Sequence, residues 1–383
     1  MSTPLRSAAG DRRTRAACNY CRELQMGLRG RSAFKLILVL LTAVFAGPPR
    51  SARALETDQF TVPPQPLSDV GPHLQQHVTA ILQDVMTRTN VRYLEHTRAA
   101  SANTPWRVHH ERAAAACLTE DTLAAAFFDE VGHGLPECDI ETWVVRSHFP
   151  VSPAKFDPSM AECIYGDNLL LKPLTLQEVS PTVRLFGTYV GTDKVGHLFQ
   201  QGHEYFEAYR KAEQSGADAE TARRKAVQVG IDQENGFYGL MMVGVYSNGD
   251  LAANYAGLKF YLNLTRPIEI NGRRLPPIVR LRQNLWEFNP AAGDEWLRPF
   301  FTDHLNESLN PSQYSNQLRT TVRNNFPQRA ERWIAFYQST RESETRRLKE
   351  LSTWYGEDYG HCGMDKVTSV LDLFYDRAVI ARR

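Results

Sequence analysis

The segment Gly191-Thr192-Asp193-Lys194-Val195-Gly196-His197 puts a carboxylate, an ammonium and an imidazole within one expected helical turn. Asp193 and His197 are four apart and share a helix face, and Lys194 stands three before His197. Gln201 continues that face by one more turn. Downstream, Ser247-Asn248-Gly249-Asp250 breaks one helical pattern and starts another, and Asp250, Asn254 and Gly257 follow at i, i+4 and i+7. Gly257 removes a side chain where a second helix could come close. Glu234 lies on the preceding helical pattern, ahead of a long apolar run. Together Asp193, Lys194, His197, Glu234, Asp250 and Asn254 form the candidate site. His197 suits a general acid or base tuned by a nearby carboxylate. Lys194 suits an oxyanion or phosphate. The same carboxylates and imidazole are donors that a divalent metal accepts, but no HExxH pattern is present, so the metal stays open at this level. Neither a G-x-S-x-G elbow nor a Walker loop occurs, and nothing names a cofactor. The bland alternative makes Thr192, Asp193 and Asp250 helix caps and His197 a satisfied core histidine.

The order D-K-x-x-H, then a glutamate, then S-x-G-D-x-x-x-N-x-x-G resembles the signature of the VanZ-like family. Here it reads DKVGH at 193–197, Glu234, and SNGDLAANYAG at 247–257. Small bacterial lipoproteins with the same order are also similar. Longer phrases, GTDKVGHLFQQGHEYF and GVYSNGDLAANYAGLKFYLNLTRP, look like an uncharacterised family of proteobacterial exported proteins. The first resemblance implies that the six residues form a true site. It covers about 65 residues of the 383 and departs in one respect. VanZ-like proteins carry these residues in membrane-spanning helices, whereas the helical patterns here are amphipathic.

Weaker candidates surround this set. His203-Glu204 falls six and seven residues after His197, on a different face. Asp303, Glu307 and Asn310 have helical spacing and could complete a site, although a surface helix end is the simpler account. Tyr359-Gly360-His361-Cys362 suggests a disulfide-anchored loop.

The elements that must position these residues read as mainly α, a single multi-helix globular domain with one short β-hairpin. His73–Met86 carries an apolar i, i+3/i+4 stripe, and Thr119 with Glu120 and Asp121 opens a helix running to Gly132. Further helices are expected over Glu137–His148, Ser180–Arg210 with interruptions at Gly187 and Gly191, Ala217–Tyr246, from Asp250, from Asp294, and over Ala330–Tyr355. Asn271-Gly272 between Pro267–Ile270 and Arg273–Leu275 is a two-residue hairpin signal. Leu55 to Pro72 is Pro-rich and expected to wrap the surface or stay mobile.

Residues 1–54 read as a leader and signal peptide, and 55–383 as a single helical periplasmic domain. The apolar run Phe34–Ala46 has a basic flank and is followed by Ser51-Ala52-Arg53-Ala54, a small-x-small cleavage pattern. Met26 would leave a compact basic start, which makes Cys18 and Cys21 incidental. Of 44 Lys/Arg and 43 Asp/Glu, the first 54 residues hold ten and two, leaving 34 basic against 41 acidic, a net charge of −7. That disfavours nucleic acid. No later apolar run spans a bilayer, so the expected domain is soluble or at most peripheral to a membrane. Cys117, Cys138, Cys163 and Cys362 are an even set, and export predicts two disulfides among them.

The expected function is an exported envelope enzyme, a hydrolase or transferase acting on a cell-wall glycan or a lipid-derived substrate. The alternative is a non-catalytic envelope protein whose polar motif is a buried packing network.

Overall fold

The apolar stripe that begins at Leu74 builds a longer helix than the stripe alone suggests. In the computed structural model, which describes residues 53–102, 105–134, 137–159, 161–166, 178–236, 239–241 and 244–376, α1 runs from Gly71 to Ser101. The expected signal segment lies outside the described residues, as do Cys18, Cys21 and Met26. Pro72 sits in the first turn of α1, where its missing N–H costs nothing. Leu74, Val78, Leu82, Val85 and Met86 are buried, while every residue from Val91 to Ser101 is at least partly exposed. Next come α2 (Arg107–Cys117), α3 (Glu120–Val131) and α4 (Asp139–Arg146). Thr119 caps α3 by accepting from the Thr122 amide at 3.3 Å, as its sequence predicts.

The stretch expected to be helical from Ser180 starts as strands instead. β3 (Glu178–Ser180), β4 (Thr182–Leu185) and β5 (Thr188–Gly191) precede the helix, and β4 pairs antiparallel with β5 and with β2 (Lys155–Phe156). Phe186 and Gly187 turn the chain with φ of 52° and 94°. The Thr/Val/Leu/Tyr-rich flanks favour that hairpin over a helix. The Pro-rich start is also not a surface wrap. β1 (Arg53–Thr57) pairs parallel with β3, and Thr57 to Phe60 are buried. Asp58 fixes this turn: one carboxylate oxygen accepts from the Phe60 and Thr61 amides and the other from the Ile164 amide at 2.7 Å.

Helix α5 (Thr192–Phe199) follows, then α6 (Gln201–Gln214) and α7 (Ala219–Asn235). The expected helix to Tyr246 stops at Asn235. Val245–Tyr246 forms β6, which later pairs with β11 (Gln313–Tyr314). Helix α8 (Asn248–Thr265) is buried on nearly all sides, the pattern of a helix at the centre of a domain. The Asn271-Gly272 hairpin forms as read, between β7 (Ile268–Ile270) and β8 (Arg273–Leu275), with φ of 51° and 70° at the turn. A second hairpin, β9 (Val279–Arg282) and β10 (Leu285–Phe288), follows it. Short 3-10 turns occupy 290–305 where a helix was expected from Asp294. Then come α9 (Asn316–Asn325), α10 (Ala330–Tyr337) and α11 (Arg341–Leu351). Gln338, at φ 49°, divides the last two and so splits the charged stretch read as one helix.

The fold class is therefore mainly α, with more short strand pairs than the one expected hairpin. Two apolar clusters form the interior. The larger gathers α1 and α3 to α8. The smaller gathers Phe60, Ile164, Leu318, Phe326 and Trp333 with their neighbours. Cys117, Cys138, Cys163 and Cys362 are free thiols, which corrects the disulfide expectation. Cys138 and Cys163 are each packed into a different apolar cluster, so burial, not pairing, accounts for them. Burial pushes the Cys138 thiol up to about 12. Among the described residues no helix is long and apolar enough to cross a membrane.

Candidate functional site

Val245 belongs to the smaller apolar cluster, while Tyr246 and Leu251 belong to the larger. The Ser247–Asp250 turn thus stands at the seam between them. Ser247, not Asp250, is the N-cap of α8: its hydroxyl accepts from the Asp250 amide at 2.9 Å. That assignment frees the Asp250 carboxylate for the interior.

Asp193 lies inside the first turn of α5, whose N-cap is Gly191 with no side-chain cap bond, so neither Thr192 nor Asp193 is the cap. One oxygen accepts from the Lys194 amide at 2.8 Å and from the Thr57 hydroxyl at 2.6 Å, and the other receives the Lys194 ammonium at 2.8 Å. Lys194 is fully buried. Its Nζ also lies 2.5 Å from Asp250 Oδ1 and 2.8 Å from Glu307 Oε1. Three carboxylates therefore surround one ammonium as ion pairs. His197, one turn on, places Nε2 3.3 Å from Asp250 Oδ2 and Nδ1 3.0 Å from Asn254 Oδ1. Two facing oxygens fit a ring that donates from both nitrogens. A singly protonated ring fits equally if the Asn254 amide is reversed, because its oxygen and nitrogen are assigned by hydrogen bonding.

Glu234 joins at one remove. Its carboxylate accepts from the Ser247 amide at 2.8 Å. Glu307 is bound more tightly into the set: the Ser247 hydroxyl donates to it at 2.6 Å, the Ser312 hydroxyl at 2.8 Å, and its own amide donates to Gln59 Oε1 at 2.7 Å. Glycines make room for this density. A Cβ at Gly249 would lie 2.6 Å from Glu307 Oε1, and one at Gly191 would lie 2.2 Å from Asp193 Oδ1. At Gly257 a Cβ would come 2.0 Å from the Leu198 carbonyl and 2.6 Å from Gly202 Cα, so α8 crosses the α5–α6 junction nearly backbone to backbone.

The carboxyl groups are driven apart electrostatically. Burial raises Glu234 well above the usual carboxylate range, and the Asp250 charge adds to the shift. Burial likewise raises Glu307, with Lys194 opposing and Asp250 assisting. Burial pushes Asp250 up as well, but the charges of His197 and Lys194 outweigh it and hold Asp250 below its usual value. Asp250 is thus the ionised partner, while Glu234 and Glu307 hold protons more readily.

No family model, curated protein or solved structure matches this chain.

All six predicted site residues meet in this one region. Gln201 does not: α5 ends at Phe199, and Gln201 donates to Gln200 Oε1 in a new helix. His203 is structural, its ring stacked on Phe128 at 4.3 Å and its pKa lowered to about 4 by burial. Of the later candidates, Glu307 enters the cluster from an irregular loop. Asp303 does not; Asn310 instead donates to the Asn248 and His304 carbonyls. Thr57 and Ser312 were not anticipated, and no spacing rule would have found them. Among the described residues no group of three or more His, Cys, Asp or Glu is arranged to hold a metal. Lys194 occupies the position among the carboxylates where a cation would sit.

Proposed function

We propose that this chain is an exported envelope protein with an acid–base site centred on His197, acting as a hydrolase or transferase on a cell-wall glycan or lipid-derived substrate. The observation that carries the reading is the exposure of His197. Its side chain is 20 % exposed, whereas those of Lys194, Asp193 and Asp250 are at 0 %, 7 % and 6 %. His197 is the member that can meet a substrate. In the singly protonated ring with the Asn254 amide reversed, ionised Asp250 holds Nε2–H and Nδ1 is the basic nitrogen. A substrate hydroxyl or a water would replace the Asn254 amide at Nδ1 and give up its proton there. Lys194 touches no solvent; it positions Asp250 and keeps it charged. Asp250, held below its usual value, touches His197, while the raised Glu234 stands one residue behind it on the Ser247 amide; carboxyls shifted in opposite directions are how acid and base roles are separated. The VanZ-like motif order supports the same grouping, and the signal pattern at 34–54 supports export.

A second reading has its own support. Lys194 meets three carboxylates inside the protein, and a fully engaged buried network can serve packing alone. The two separate in one experiment. Purified wild-type and His197→Ala proteins are offered a panel of cell-wall glycan, phospholipid and phosphoester substrates. The catalytic reading expects turnover that falls about a hundredfold or more in the variant, with an unchanged thermal midpoint. Turnover equal in both proteins, or absent with a variant destabilised by about 1–3 kcal/mol, would leave the packing reading standing.

A further inference from the structure

The outer halves of α1 and α2 serve neither apolar cluster. Thr89 is the last buried residue of α1, and from Val91 to Ala113 no described residue is buried. The helix continues through Ser101, roughly 18 Å further at 1.5 Å per residue. Over that length α1 meets α2 at His96 and His110, whose Nδ1 atoms are 3.1 Å apart, and Tyr93, Ala100 and Ala113 are half-buried. The base of this arm is pinned. Asn90 exchanges hydrogen bonds with the Trp286 backbone at 2.8 and 2.9 Å, and the Trp286 indole donates to the Cys117 carbonyl at 2.9 Å.

What the arm shows to solvent is unusual for a helical hairpin. Val91 is 48 % exposed, Leu94 50 %, Val108 57 % and Trp106, at its far end, 67 %. Val91, Leu94 and Arg98 follow at i, i+3 and i+7, one helix face. The charge of the arm also departs from the rest. Residues 91–112 carry four arginines against two glutamates, a net +2 with the histidines neutral, within a 55–383 segment of net −7. Arg107 pairs with Glu111 along α2, while Arg92, Arg98 and Arg112 stand exposed on the arm.

We propose that this arm docks on an anionic phospholipid bilayer, independently of the His197 site. Trp106 inserts at the headgroup level, where an amphipathic ring is favoured. Val91, Leu94 and Val108 bury beside it, and the three arginines meet lipid phosphates. The arm lies on the surface, since neither helix is apolar enough to cross it. A protein partner is the other candidate occupant. The excess of arginine on the arm, against an acidic remainder, favours the lipid phosphates because the same field turns the acidic body away from them.

Co-sedimentation tests this with the chain from Arg53 onward, which carries both apolar clusters. The probes are vesicles of phosphatidylcholine alone and of phosphatidylcholine with an equal part of phosphatidylglycerol. Binding is expected to be about tenfold stronger on the anionic vesicles and to fall in about 0.5 M sodium chloride. Trp106→Ser and the triple Arg92→Gln, Arg98→Gln, Arg112→Gln variant should each reduce it about tenfold, with unchanged melting because the arm is outside the core. Met364→Ser, exposed elsewhere, should bind as wild type. Equal binding to both vesicles, binding to neither, or full binding by Trp106→Ser overturns the proposal.

Discussion

Lys194 and Arg266 each face several carboxylates, one at 0 % exposure and the other at 32 %. Around Arg266, the side chains of Arg210, Glu120, Asp121 and Glu213 form a network in which every member meets water. Around Lys194, Asp193, Asp250 and Glu307 meet almost none. The same pairing of charges has different consequences in the two places. At the surface, water screens each charge and would solvate it if its partner were lost. In the interior, losing one partner strands the others in a medium that cannot solvate them.

The largest effect that would sharpen this contrast comes from Lys194→Met. It leaves Asp193, Asp250 and Glu307 facing one another, and a loss of about 3–5 kcal/mol is expected. Chemical denaturation measures it, and a loss below about 1 kcal/mol would put Lys194 on a par with the surface network. Gly257→Val comes next, at about 1–3 kcal/mol or more, because its added atoms meet the Leu198 carbonyl and Gly202 Cα at fixed helix positions. An unchanged melting temperature would show that the crossing of α8 is looser than described.

A smaller, pH-dependent effect belongs to Glu234. The folded protein holds the Glu234 proton more tightly than the unfolded chain does. Stability from this group is therefore full below its usual value of 4.5 and is lost as pH rises through its raised value. Asp250 has the opposite sign: its contribution is present above 3.8 and disappears as pH falls through its depressed value. Glu234→Gln should flatten the decline in urea midpoint on the alkaline side and leave the acid limb. A decline as steep as in wild type would assign it to other groups. The smallest effect is expected from Arg266→Ala, about 0–1 kcal/mol and diminished by salt. A loss as large as that of Lys194→Met would erase the distinction between the two networks.

Much of the site was legible because it is local. The i, i+4 spacing of Asp193 with His197, and of Asp250 with Asn254, follows from helix geometry once each segment is known to be helical. The small residue at Gly257 marked the crossing for a similar reason. Errors arose where local patterns compete. Thr182–Leu185 and Thr188–Gly191 lie beside a good helix start, and the two-residue turn at Phe186-Gly187 made them a hairpin. The cysteines misled because an even count speaks only of what pairing is available, and distance in the folded chain decides whether it happens.

The sequence by itself determined the helical class, the hairpin at Asn271-Gly272 and which side chains share a helix face, since each depends on backbone geometry within a few residues. Only the tertiary structure decided that Thr57 and Glu307 complete the cluster, 136 residues before Asp193 and 60 after Ser247. Both arrive on segments without helical period, held by Asp58 and Gln59 through contacts 106 and 248 residues apart in sequence. Ordinary turn and loop chemistry at each end carries no record of its partner. The balance of charge around Lys194 was hidden for the same reason. An aspartate at a helix start looks alike whether it faces water or a buried ammonium, and burial, which separates the two, is a property of the packed chain.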